Sequence, residues 1–116
     1  MDAAGALEEL TELSTQIEAA LIWRGEGEVE ASTLSPEVAA QVAGTAQELF
    51  TAAARAQAVQ GRALPQLEAA TGDGSVFVVR EGQRTIAATT REEPTSGLVL
   101  YDLRVCLRGI DEEPGE

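Results

Sequence analysis

Leu7, Leu10 and Leu13 recur every third residue opposite Glu8, Glu9 and Glu12, which predicts a short helix over 3–13. A helix this short needs tertiary support. The run Ile17-Glu18-Ala19-Ala20-Leu21-Ile22-Trp23 is mostly apolar and too short for a free-standing helix, so it is expected as a central strand. Arg24-Gly25-Glu26-Gly27 supplies a turn, and Glu28-Val29-Glu30-Ala31-Ser32 then alternates with the period of a strand that has one wet face. Glu26, Glu28 and Glu30 fall on one side of that strand. A solvated edge that resists aggregation explains them better than a cation site.

Ser35-Pro36-Glu37 is a helix start, with a hydroxyl at the N-cap, proline at the first helical position and an acid in the first turn. Only Gly44 interrupts the pattern before Gly61, so the expected helix spans 36–60 and is about 37 Å long. Two apolar stripes run along it. Val38, Val42, Leu49, Ala53 and Ala56 form one; Ala39, Ala43, Phe50 and Ala54 form the other, and together they cover roughly 200° of the helix wheel. A helix that covers a sheet needs one stripe. We expect the first to face the sheet and the second to face a partner, because small residues allow a second backbone to approach closely.

Strand chemistry resumes after Gly61. Residues 64–71, 75–80 and 84–90 read as a three-strand meander, joined by Gly72-Asp73-Gly74 and Glu81-Gly82-Gln83. The glycines of the first turn do not open a helix and no lysine follows, so they are not a phosphate loop. From Gly97 on, Val99, Leu103, Cys106, Leu107 and Ile110 recur at helical spacing, with Arg104 and Arg108 near the C-terminal end of that helix. Cys106 lies on the apolar stripe and is expected as a buried structural thiol. The segment 111–116 is acidic and expected to be a disordered tail beyond a single domain over 1–110.

The 116 residues carry 20 acidic against 8 basic side chains, a net charge of −12. That field disfavours nucleic acid and anionic membrane surfaces. The chain holds no histidine, and every basic residue is arginine. Imidazole-based catalysis, histidine metal ligation, Schiff-base lysines and Walker lysines are therefore all excluded. One cysteine forms neither an internal disulfide nor a thiolate zinc site. No metal or cofactor is expected. With no run long enough to insert into a membrane and no basic leader, the expected location is the cytoplasm.

The order helix, hairpin, long helix, meander, helix points to an α+β domain. It is expected as a three-layer α/β/α sandwich: a five-stranded antiparallel sheet, the long helix on one face and the two shorter helices on the other. Four segments, together with that order, resemble the roadblock family of dynein light chains and their bacterial relatives, a profilin-like fold. They are residues 19–27, an apolar strand ending at a glycine-containing turn; Glu30-Ala31-Ser32 before the long helix; residues 72–79, a strand hairpin; and residues 97–104, a last helix opening Gly-Leu. The third strand departs from the pattern, being alanine-rich where relatives carry Val or Ile.

The resemblance implies a homodimer, or a heterodimer with a related roadblock protein, built by the long helix against its mate and by third strands pairing edge to edge. The expected interface residues are Ala39, Ala43, Phe50, Ala54, Leu67 and Ala69. It also implies regulation of a small Ras-like GTPase, docked on Gln41, Glu48, Thr51 and Arg55 of the long helices. Arg24, Arg55, Arg62 and Arg91 are the conceivable arginine fingers. The family logic favours repositioning of the GTPase's own groups, so no catalytic residue is expected. The alternatives are a structural adaptor indifferent to nucleotide and, further off, a small-molecule sensor. The sensor would need a deep cavity lined by Trp23, Phe77 and Tyr101, which are expected instead as core or strand-end residues. An enzyme would have to work with carboxylates such as Asp73, Glu92 and Glu93, around which no apolar pocket is evident.

Overall fold

Five strands pair antiparallel throughout: β1 (Ile17–Arg24), β2 (Glu28–Ser32), β3 (Gln66–Thr71), β4 (Gly74–Glu81) and β5 (Arg84–Thr90), in the spatial order β2-β1-β5-β4-β3. The computed structural model describes residues 1–25, 27–59, 66–71 and 74–110, and leaves aside the side chains of residues 54, 57–59 and 71. The expected acidic tail, Glu26, Arg62, the Gly72-Asp73 turn and the side chain of Ala54 lie outside the described residues.

Helices cover both faces of the sheet, as the order of elements implied. Alternation along each strand assigns its side chains to one layer or the other. Leu21, Trp23, Val78 and Ala87 point to one face, where α2 (Pro36–Val59) packs. Ala20, Ile22, Phe77, Val79, Ile86 and Ala88 point to the opposite face, under α1 (Ala3–Leu13) and α3 (Ser96–Arg108). Trp23 and Phe77 are both fully buried but sit in different layers, while Tyr101 is exposed on α3. Those three aromatics therefore share no cavity, and Tyr101 is not a core residue.

The helix starts follow their capping chemistry. The Asp2 carboxylate accepts from the Gly5 amide at 2.8 Å, and the Ser35 hydroxyl accepts from the Val38 amide at 3.4 Å. Thr95 stands at the N-cap of α3 without a side-chain bond; its own amide donates to Gln16 Oε1 at 2.7 Å. In α1 the buried line is Ala3, Ala6, Leu7 and Leu10. Leu13, the last residue of the helix and about 60° round from Leu10, is 76% exposed rather than part of the core.

Glu30, on the β2 edge, is not merely solvated. Its Oε1 pairs with Arg84 Nε at 2.7 Å, across the β1 strand between them. Glu68 on β3 likewise has a partner, accepting from the Ser96 hydroxyl at 2.7 Å. Both ends of the sheet thus carry acids, and Glu30 and Glu68 are each committed to a contact within the chain.

Candidate functional site: the outward face of the long helix

The face of α2 that meets the sheet is the alanine stripe. Ala39, Ala43, Ala46 and Phe50 are buried among Leu21, Trp23, Val78 and Ala87. This corrects the expected interface: Ala39, Ala43 and Phe50 are at most 1% exposed within one chain and have no surface left for a partner. The physical reason is close approach. Three alanines let the helix axis settle near the sheet, and the one large residue on that stripe, Phe50, fills the remaining space at its far end.

A polar clasp holds the helix in this rotation. Gln47 Oε1 accepts from Trp23 Nε1 at 3.1 Å and from Arg80 Nη2 at 3.0 Å. Arg80 Nε donates to Thr85 Oγ1 at 3.2 Å, and the guanidinium lies 4.5 Å from the centroid of the Phe50 ring. Trp23, Thr85 and Arg80 occupy neighbouring register positions on β1, β5 and β4, so the sheet presents them to Gln47 as a row. Sequence reasoning did not single out Gln47 or Arg80. The available signal was a polar residue one helical turn before and slightly off the Phe50 stripe, which is weak without knowing which stripe faces the sheet.

The stripe left outside is the one expected to be inside. Val38 is 43% exposed and Leu49 46%, with Val42 and Ala53 half-buried beside them and Ala56 exposed. Next to it runs a polar strip in which Gln41, Glu48, Thr51 and Arg55 are all exposed. Gly44 also lies on this side, with open space where a side chain would stand. Gln47, Glu48, Thr51, Ala52 and Arg55 line an open depression of about 330 Å³. Of the expected strand residues, Leu67 and Ala69 are half-buried on β3, which ends the sheet and pairs with β4 alone. Among the other arginines considered, Arg91 is exposed and Arg24 half-buried.

Cys106 is buried beside α1, as expected. Burial pushes its thiol up to about 11, and the neighbouring Glu9 carboxylate adds to the shift. The fold thus favours the neutral thiol. Its stabilising contribution is complete below the ordinary thiol range and is lost as pH rises from about 9 through about 11. The native chain should therefore resist alkylation by iodoacetamide at neutral pH and react once unfolded in urea, and its urea midpoint should fall over that alkaline window. Rapid native labelling at pH 7 would contradict the burial.

With this geometry in place, the architecture can be named: a layered α+β domain with the roadblock fold. The Roadblock/LC7 domain from Streptomyces avermitilis superposes with a TM-score of 0.83 at 17% identity, over 93% of each chain. Myxococcus xanthus MglB superposes at 0.76 and 12% identity, over 90% of this chain and 87% of that one. An MglB with a tetrameric arrangement superposes at 0.77 and 16% identity, over 90% and 81%. No protein-family model and no curated protein matches the sequence. Among the described residues, no helix is long and apolar enough to cross a membrane.

Proposed function

We propose that this chain is a dimeric interaction module of the cytoplasm that binds and regulates a small Ras-like GTPase and has no active site of its own. The observation that supports it best is the second apolar stripe of α2. Val38, Val42 and Leu49 remain outside after the sheet has consumed Ala39, Ala43 and Phe50. A related chain or a second copy covers that stripe, and the β3 edge bearing Leu67 and Ala69 pairs with its counterpart, so that two sheets become one. The interface residues are thus revised to Val38, Val42, Leu49, Leu67 and Ala69.

The GTPase then docks on the polar strip of Gln41, Glu48, Thr51 and Arg55. The net charge of −12 favours a partner with a basic docking surface and raises the rate of encounter. In this reading regulation proceeds by positioning groups that the GTPase already owns, and Arg55 is the one residue of the strip with the side chain of an arginine finger.

The test combines sedimentation with GTP turnover by a small Ras-like GTPase encoded beside this chain's gene. The wild-type chain is expected to sediment as a dimer at micromolar concentration and to change the turnover rate. Leu49→Glu, at an exposed position, is expected to fold normally, sediment as a monomer and lose the effect on turnover. A wild-type monomer would overturn the assembly. A dimer that binds GDP-loaded and GTP-loaded GTPase equally, with no rate change, would overturn the regulatory reading and leave an adaptor.

A further inference from the structure

The layer opposite α2 has an exposed apolar surface of its own. Leu98, Tyr101 and Val105 lie at i, i+3 and i+7 on the outer side of α3, and all three are exposed, Tyr101 to 63%. Val105 also lines a groove between α1 and α3. Ala6, Leu10 and Leu13 form one wall, Val105, Cys106 and Gly109 the other, and the groove is a notch of about 50 Å³. A notch of that size takes the end of a single aliphatic side chain, not a small-molecule ligand.

Two carboxylates, Glu9 from α1 and Asp102 from α3, complete the lining together with Met1 at the start of the chain. Neither carboxylate forms an ion pair with an arginine among the described residues. Glu9 is close enough to the floor of the groove to act on the Cys106 thiol. Across the two helices the surface therefore reads as an apolar notch with an acid from each helix and the exposed hydrophobic stripe of α3 beside it. Parallel rows on two packed helices make the seat for a third helix.

We infer that the α1–α3 groove is a docking site for a basic amphipathic helix of a partner protein, whose apolar face covers Leu13, Tyr101 and Val105 and whose Lys or Arg side chains meet Glu9 and Asp102. Charge decides the occupant. A second copy of this chain would bring its own excess of acids, including Glu8, Glu9 and Glu12 of α1, against the same acids. An anionic membrane would be repelled for the same reason. The site lies across the sheet from the strip proposed for the GTPase and does not rest on that reading.

The probe is a fluorescein-labelled synthetic peptide of about 18 residues, some five helical turns, with leucines on one stripe and lysines flanking it. Its anisotropy is followed on titration with the full chain. Saturable binding is expected, with Kd on the order of micromolar. Val105→Glu and Leu13→Glu, both at exposed positions, should each weaken it about tenfold or more. Glu9→Gln combined with Asp102→Asn should weaken it less and flatten its salt dependence. Leu49→Glu on α2 should leave it unchanged. Equal binding of a scrambled peptide of the same composition, or unchanged binding to Val105→Glu, would overturn the proposal. So would saturable binding of the chain to anionic phospholipid vesicles that is lost in Val105→Glu, or self-association lost in that variant.

Discussion

Phe50→Ala is expected to cost about 3–5 kcal/mol of folding stability, read from urea unfolding. Phe50 is fully enclosed between α2 and the sheet, so truncation leaves a cavity. It also removes the ring on which the Arg80 guanidinium rests, 4.5 Å from its centroid. The neighbouring Leu49→Glu, about 100° further round the helix, is expected to leave the same midpoint nearly unchanged, because it alters an exposed position. The pair separates the two faces of α2 in one experiment. If Phe50→Ala cost under about 1 kcal/mol while abolishing self-association, this stripe would face a partner rather than the sheet.

Gly74→Ala is expected to cost about 3 kcal/mol and to be the most damaging of the glycine substitutions among the described residues. The obstacle is backbone rather than a movable side chain. A methyl group at this position would overlap the carbonyl oxygen of Thr90, and Thr90 is held in the β4–β5 ladder opposite Ser75. Relief requires opening that end of the ladder. Gly44→Ala is the matching control. It lies in the interior of α2 with open space around it, so it should stabilise the helix by roughly 0.5–1 kcal/mol. Thermal unfolding of the two variants beside wild type checks both signs, and a Gly74→Ala midpoint equal to that of wild type would refute the close approach.

Much of the architecture was legible in the sequence because local chemistry and long-range packing agree. Ser35-Pro36-Glu37 opens α2 as its capping chemistry predicts, the β-branched run of β4 forms a central strand, and the element order places one helix on one face and two on the other. The candidate site was legible in outline: a helix with more apolar surface than a sheet requires, flanked by the polar strip of Gln41, Glu48, Thr51 and Arg55. Which apolar stripe is left outside was not legible. Hydrophobicity ranks Val38, Val42 and Leu49 above Ala39 and Ala43, so a reading by residue type buries the larger ones. The fold does the reverse, because distance of approach depends on residue size as much as on hydrophobicity.

The exposed surface on α1 and α3 shows the same limit. Leu13 and Tyr101 look like core residues by type, yet helix rotation turns both outward. Spacing along one chain sets which residues share a face; it does not say what that face meets.

From its residues alone this protein is an acidic α+β domain without histidine or lysine chemistry, with elements whose types and order follow from periodicity and capping. Tertiary structure alone decided the rotation of α2. That choice rests on contacts between residues far apart in the chain, in which Gln47 is bound at once by Trp23 and Arg80 while the Arg80 guanidinium covers Phe50. No pattern within the helix encodes them, because the partners of Gln47 and Phe50 come from two different strands, Trp23 from β1 and Arg80 from β4.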